Sequence, residues 1–198
     1  MPVEITRWAI KPLHRSARGF DERLAIVVPW LARAVLALAA RARRGSRLRR
    51  AVFGHALRVG ISKSDRRDYE SLYAFLSPEV ELHVFPDAPD ERPIDARPVY
   101  QGHDGYVEMS DAFQAEFEDF RWELRELFDP GGDRIGGRVG RSGRGGRSGV
   151  VVRGTDFHIW QFERGLVRRQ FALRSESEML AMLEPMHQLS KAGVRAER

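Results

Sequence analysis

The chain contains no cysteine, which excludes disulfide bonds, thiolate metal sites and cysteine nucleophiles. It also lacks a long uninterrupted apolar run. Its most apolar stretch, residues 24–40, contains Pro29 and Arg33 and falls short of the roughly 20 apolar residues that a membrane-spanning helix needs. The first residues show no basic start or small-residue cleavage pattern of an export signal. We therefore expect a cytoplasmic protein, with peripheral attachment to a membrane as the alternative.

Length and composition predict one soluble domain with an extension. The chain has 198 residues, of which 42% are hydrophobic and 31% are charged, as is typical of globular proteins. The net charge of +5 comes from arginines in residues 41–50 and in the glycine-rich span 138–147, whereas the middle of the chain is acidic. Such asymmetry can indicate an anionic partner, but a solvated face is its commoner cause. We therefore favour a solvated face over nucleic-acid binding.

Residues 1–46 form an N-terminal extension in which an amphipathic helix is predicted. Asp21 can cap its start, and apolar residues then recur at helical spacing as far as Leu38. An apolar face of this kind favours packing on the same domain or on a partner subunit. The basic residues 41–50 leave a second interpretation open, in which the helix lies on anionic lipid.

The second half of the chain is predicted to be mostly strands. Residues 150–162 and 166–173 form a hairpin signal, since Gly165 in the connecting turn can adopt positive φ. The glycine- and arginine-rich span 131–149 resembles RNA-binding disordered segments. It has no interleaved phenylalanine or tyrosine, however, and is better explained as part of a twisted hairpin. Helices that precede an antiparallel sheet indicate an α+β fold.

Four local patterns match one family of domains in their order and spacing. They are RRDYESLYAFLSPEVELH at 66–83, VYQGHDGYVEM at 99–109, FRWELRELFD at 120–129 and FHIWQFERGLVRRQF at 157–171. Through them the chain resembles the SnoaL-like branch of the nuclear transport factor two-like superfamily. The resemblance implies a cone-shaped α+β fold, in which a curved antiparallel sheet wraps around helices, with an accessory N-terminal helix. It places the domain at residues 47–186, between the extension and a frayed tail at 187–198.

The same resemblance implies a deep pocket at the wide end of the cone, often in a homodimer, and in some members chemistry on apolar ring compounds. We therefore expect a protein that binds a small apolar or ring-shaped molecule, without a cofactor. One alternative is a proton-transfer enzyme of the isomerase, cyclase or hydrolase type. Another is an interaction module that binds a membrane or nucleic acid through the basic helix and the Arg/Gly loop.

Cyclase-like members of this family carry a histidine and an acid on the two strands of the hairpin, with the acid as the base. His158 stands where that histidine would be. Where the acid would be, this chain has Phe171, Ala172 and Leu173. The hydrolase pattern of two aspartates bridged by an arginine is also unmatched. The resemblance thus carries over the histidine and no carboxylate partner.

Other candidate catalytic groups are the strand carboxylates Glu81, Glu123 and Asp156. An acid held in an apolar pocket has a raised pKa and can act as a base beside His158. Alternation along a strand more often places such acids in water, and a buried histidine is more often structural. No metal site is predicted, because the histidines lie on different elements. The candidate ligand-pocket residues, several of which are also candidates for the core, are Tyr73, His83, Trp122, Trp160 and Phe171.

Overall fold

A computed structural model describes residues 4–86, 97–146 and 148–184 of the chain. Its helices are α1 (Phe20–Val27), α2 (Pro29–Arg41), α3 (Arg47–Asp65), α4 (Tyr69–Tyr73), α5 (Gly102–Glu116) and α6 (Glu176–Leu183). Its strands are β1 (Thr6–Ala9), β2 (Leu76–Val84), β3 (Val99–Gln101), β4 (Phe117–Asp129), β5 (Arg134–Gly145), β6 (Val151–Glu163) and β7 (Leu166–Leu173). The tail predicted at 187–198 lies outside the described residues.

The strands of the described residues form one curved, seven-stranded sheet that does not close, in the order β1-β4-β5-β6-β7-β2-β3. This confirms the predicted α+β class. Neighbouring strands are antiparallel except β2 and β7, which run parallel. The predicted antiparallel sheet thus contains one parallel pair. Strands that are distant in the chain meet through the curl of the sheet, so no local turn sets their direction.

Two helices and a strand stand where the sequence predicted one accessory helix. Pro29 lacks a backbone N–H and fits the first turn of a helix, so it ends α1 and begins α2. The axis bends by 104° between them. Ahead of them, β1 pairs with β4 at one edge of the sheet. Within the described residues, no single helix is long and apolar enough to cross a membrane, whereas the bent pair α1 and α2 together has the length and composition to do so.

The hairpin β6–β7 forms as predicted. Arg164 and Gly165 make its turn with φ values of 50° and 80°, the positive values that a tight two-residue connection requires. Both faces of β6 are buried. Ile159 packs with α6 in a cluster on the outer face of the sheet, whereas Trp160 and Phe162 belong to the larger core inside the curve.

Glycines in β5 make room for large side chains on both faces. A Cβ at Gly136 would lie 2.7 Å from the Leu183 side chain of α6. A Cβ at Gly137 would lie 2.7 Å from the ring of Trp160 on the inner face. Because successive residues point to opposite faces, this pair lets α6 and Trp160 approach the same strand from either side. Most of the glycine-rich span therefore forms β5, a packed strand between β4 and β6.

A buried ion pair joins the extension to the sheet. Arg49 of α3 and Asp129 at the end of β4 are fully buried, and Arg49 Nη2 lies 2.8 Å from Asp129 Oδ1. Arg49 Nη1 also donates to the carbonyl oxygens of Ala39 and Ala40. These carbonyls lie in the last turn of α2, where a helix has no internal partners for them. One guanidinium therefore connects α2, α3 and β4.

Candidate functional site

A cavity of about 80 Å³ lies inside the curve of the sheet, and we call it the cone cavity. It holds several water-sized groups, and it is smaller than the pockets of about 300–1,000 Å³ that enclose drug-sized ligands. Most of its wall is apolar. Ser64 and Tyr106 supply hydroxyl groups from the helices, and His158 and Gln170 supply polar groups from the strands. The cavity therefore matches one ring or one small head group.

His158 is the central polar side chain of the cone cavity. Its ring contacts Trp122 and Trp160 at centroid distances of 5.5 and 5.4 Å. On the neighbouring strand β7, Gln170 Nε2 donates a hydrogen bond to His158 Nδ1 at 3.1 Å. His158 Nε2 is buried and has no hydrogen-bond partner among the described residues. This nitrogen is therefore available to a ligand.

Burial lowers the pKa of His158 to about 4. The imidazole is thus neutral near pH 7 and carries one proton. Because Gln170 donates to Nδ1, that proton lies on Nε2. With its pKa so far below neutrality, this histidine is poorly matched to acid–base catalysis at pH 7. Its arrangement suits donation of a hydrogen bond to a ligand oxygen.

The three carboxylates named from the sequence do not line the cone cavity. Alternation explains the position of Glu81, since its neighbours Val80 and Leu82 both point into the core. Within the described ranges, no three or more histidine and acidic side chains converge as metal ligands would. Each candidate carboxylate has an arginine partner: Asp156 pairs with Arg174 at 2.6 Å, Glu81 with Arg169 at 3.1 Å and Glu123 with Arg125 at 3.4 Å.

The predicted ligand-pocket residues divide between the two faces of the sheet. Trp122 and Trp160 line the cone cavity. His83 contributes to the wall, and its ring stacks on Phe171 at 4.5 Å. Phe171 packs with the α6 cluster on the outer face. Tyr73 does not line the cavity, and its ring is stacked on a histidine of α5 at 4.0 Å.

Sequence reasoning missed two residues at this site. Gln170 orients the cavity histidine, but an isolated glutamine in a strand gives no signal of that role. Asp65, the last residue of α3, accepts a hydrogen bond from the Trp122 backbone N–H at 3.0 Å. Burial raises the pKa of Asp65 to about 6. It lies in a small pocket that shares Ser64 and Trp122 with the cone cavity, and a carboxyl with a pKa near neutrality is suited to proton transfer.

Several solved structures share this fold. A nuclear transport factor two-like protein of unknown function from Burkholderia pseudomallei has a TM-score of 0.53 and 22% identity, over 65% of this chain and 95% of that one. TerC, co-crystallised with polyporic acid, has a TM-score of 0.52 and 18% identity, with the same coverage. IdmH from Streptomyces antibioticus, proposed to be a polyketide cyclase, has a TM-score of 0.50 and 17% identity, over 65% and 96%.

Among curated proteins, no sequence matches this chain significantly. Residues 62–170 match the family model of the SnoaL-like domain. The matched segment is more than half of the chain. It begins in α3 and ends at Gln170, so it contains the cavity residues Ser64, His83, Tyr106, His158 and Gln170. On this evidence, the chain belongs to the SnoaL-like domain family.

Proposed function

We propose that this protein binds a small apolar or ring-shaped molecule in the cone cavity, and that His158 Nε2–H donates a hydrogen bond to an oxygen atom of that molecule. The observation that carries this proposal is the buried Nε2 without a partner among the described residues. An unsatisfied buried polar group costs about 1–3 kcal/mol. A ligand oxygen that accepts from Nε2 removes this cost.

The chemistry of the wall supports a neutral ligand. Among the described residues that line the cone cavity, none is a lysine, arginine, aspartate or glutamate. An ionised ligand would therefore be desolvated without a counter-charge. Trp122 and Trp160 instead offer aromatic surfaces on which a ring can pack. The co-crystallisation of TerC with polyporic acid further supports a small-molecule role for a protein of this fold.

The test compares acetophenone with ethylbenzene, which has a similar size and no oxygen, by isothermal titration calorimetry at pH 7. We expect the protein to prefer acetophenone by about 2-fold to 10-fold, the value of one net hydrogen bond. His158→Leu should abolish the preference, because leucine fills the space without an N–H group. His14→Leu is the matched control, since His14 lies at the surface beside Glu123.

Equal affinities of the wild-type protein for the two compounds would refute the proposal. A preference that survives His158→Leu would assign the oxygen contact to another group. Gln170→Leu provides a further check, because it leaves Nδ1 without its donor. The proton is then no longer held on Nε2, and we expect an intermediate preference.

A second proposal concerns the surface of α1 and α2, which we propose contacts anionic lipid. Tryptophan is enriched at membrane interfaces, and the exposed Arg33 and Arg41 of α2 supply charge that such lipid attracts. Exposed apolar side chains grouped on two consecutive helices mark an interaction site. These side chains and their exposed fractions are Phe20 (81%), Val27 (78%), Trp30 (67%) and Leu38 (59%).

Co-sedimentation with vesicles of phosphatidylcholine, with and without phosphatidylserine, tests this contact. We expect binding that increases with phosphatidylserine and decreases in Trp30→Ser. Val151→Ser is the control, because Val151 is an exposed apolar residue on β6 rather than on α1 or α2. A dimer in sedimentation velocity that Trp30→Ser disrupts, without vesicle binding, would assign this face to the expected homodimer instead.

A further inference from the structure

A second cavity lies between α1, α2 and α3, and we call it the tail groove; apart from Phe75, its lining residues precede the segment that matches the family. We propose that it holds the hydrocarbon tail of the ligand whose head occupies the cone cavity. The inference rests on the proposed function and names the ligand class, a neutral carbonyl compound with an unbranched apolar chain. The volumes agree with this division, since the tail groove measures about 400 Å³ and the cone cavity about 80 Å³.

The two cavities share one wall. Leu36 of α2, Ala56 of α3 and Phe75 before β2 contribute to both linings. Ala56 is the smallest of the three, so Leu36 and Phe75 are the side chains whose rotation would widen this wall for a chain. Rotation between staggered conformers is an ordinary motion of such side chains. A ligand can therefore extend from one cavity into the other.

The lining of the tail groove is apolar and open on one side. Leu24 of α1, Leu31 and Val35 of α2, and Val52 and Val59 of α3 all face it. Three of these residues, on α1 and α2, are 38–40% exposed although they lie in the groove. Apolar surface that water reaches is stabilised when hydrocarbon covers it. A hydrocarbon chain of the same ligand is the occupant that continuity with the cone cavity favours.

Polar residues at the tail groove already have partners. Asp21 Oδ2 lies 2.8 Å from His55 Nε2, and Glu22 Oε2 lies 2.5 Å from a guanidinium nitrogen of Arg66. These side chains therefore do not need a polar head group of the ligand as an ion-pair or hydrogen-bond partner. Among the described residues, His158 Nε2 in the cone cavity is instead a buried nitrogen without a hydrogen-bond partner. The orientation of the ligand follows, with the carbonyl in the cone cavity and the chain in the groove.

The experiment measures the binding of n-alkyl phenyl ketones, from acetophenone to decanophenone, by isothermal titration calorimetry. Once the chain passes the shared wall, each added methylene should raise affinity about fourfold, as expected for a buried CH₂ group. If the groove takes no chain, affinity should instead stop rising, or fall, when the cone cavity is full.

Two alanines of α2 provide a matched pair of variants. Ala32 lines the tail groove, whereas Ala34 is exposed and does not. In Ala32→Phe, acetophenone should bind within twofold of wild type, and decanophenone should lose at least tenfold in affinity. Ala34→Phe should behave as wild type with both ketones. If Ala32→Phe does not fold, Leu31→Trp replaces it, because Leu31 lines the groove from a half-exposed position. We then expect the same unchanged binding of acetophenone and the same loss of affinity for decanophenone.

The outcomes separate this inference from the proposed function. If acetophenone binds through His158 but longer chains add nothing, the tail groove is refuted and the cone site stands. If acetophenone shows no dependence on His158, the proposed function itself fails. A chain-length gain that persists in both groove-filling variants also overturns the inference. A dimer that Leu31→Trp dissociates, with no chain-length gain, would assign the groove to a second copy of the chain.

Discussion

Asp129→Ala should reduce the free energy of unfolding by about 3–5 kcal/mol, because it leaves the Arg49 guanidinium buried without its counter-charge. Both residues are fully buried in the folded protein. Arg49 donates through Nε and Nη2 to the two carboxylate oxygens at 2.8–3.1 Å. Removal of the carboxylate takes the acceptor from both of these nitrogens.

The contacts of Arg49 give the same magnitude by a second route. Arg49 Nη1 keeps the carbonyl acceptors of Ala39, Ala40 and Gly132 after the substitution. Nε and Nη2 lose their carboxylate acceptors. Two unsatisfied buried donors cost about 1–3 kcal/mol each. Arg49→Met combined with Asp129→Leu should recover only part of the loss, since the three carbonyl oxygens then lack their donor.

Urea denaturation followed by tryptophan fluorescence measures this effect, and the melting temperature should fall by roughly 6–20 °C. Glu4→Ala is the control. The Arg44–Glu4 pair has the same 2.8 Å separation as Arg49–Asp129, but Glu4 is largely exposed. Loss of an exposed pair costs about 0–1 kcal/mol. If Asp129→Ala costs no more than Glu4→Ala, the argument from burial is refuted.

Three further predictions concern the cone cavity. Because burial lowers the pKa of His158 to about 4, the unfolded state binds its proton first, so the contribution of His158 to stability should fall as the pH drops from about 6.5 to 4. In urea denaturation, His158→Leu should remove this contribution, so that the difference in stability between variant and wild type changes in favour of the variant as the pH drops through that range. Burial raises the pKa of Asp65 to about 6, so this group destabilises the protein as pH rises from about 4 to 6. Asp65→Asn should remove that loss, and an unchanged profile would contradict it. Gly137→Ala places a Cβ against Trp160 and should destabilise the protein by about 1–3 kcal/mol while it weakens acetophenone binding in calorimetry.

Features that depend on neighbouring residues could be predicted from the sequence. The turn at Gly165 and the burial of both faces of β6 follow from residue type and alternation. The family resemblance also follows from short patterns, and the matched segment at 62–170 confirms it. Trp122 and Trp160, named as candidate pocket residues, line the cone cavity.

Long-range pairing could not be predicted in this way. Nothing in β2 or β7 shows that they run parallel, and Arg49 pairs with an aspartate 80 positions away. The sequence indicates Glu81, Glu123 and Asp156 as candidate bases. Their pairing with arginines likewise depends on the fold. The raised pKa of Asp65 arises from burial that its helical pattern does not show.

The sequence by itself therefore determined the α+β class, the central hairpin and the histidine of the site, because these depend on residues close together in the chain. The tertiary structure alone decided which polar groups are buried with a partner and which are buried without one. It gives Asp156 its arginine and leaves His158 Nε2 facing the cone cavity. It also places the extension beside that cavity, because a curved sheet and a bent helix pair bring distant residues to one wall.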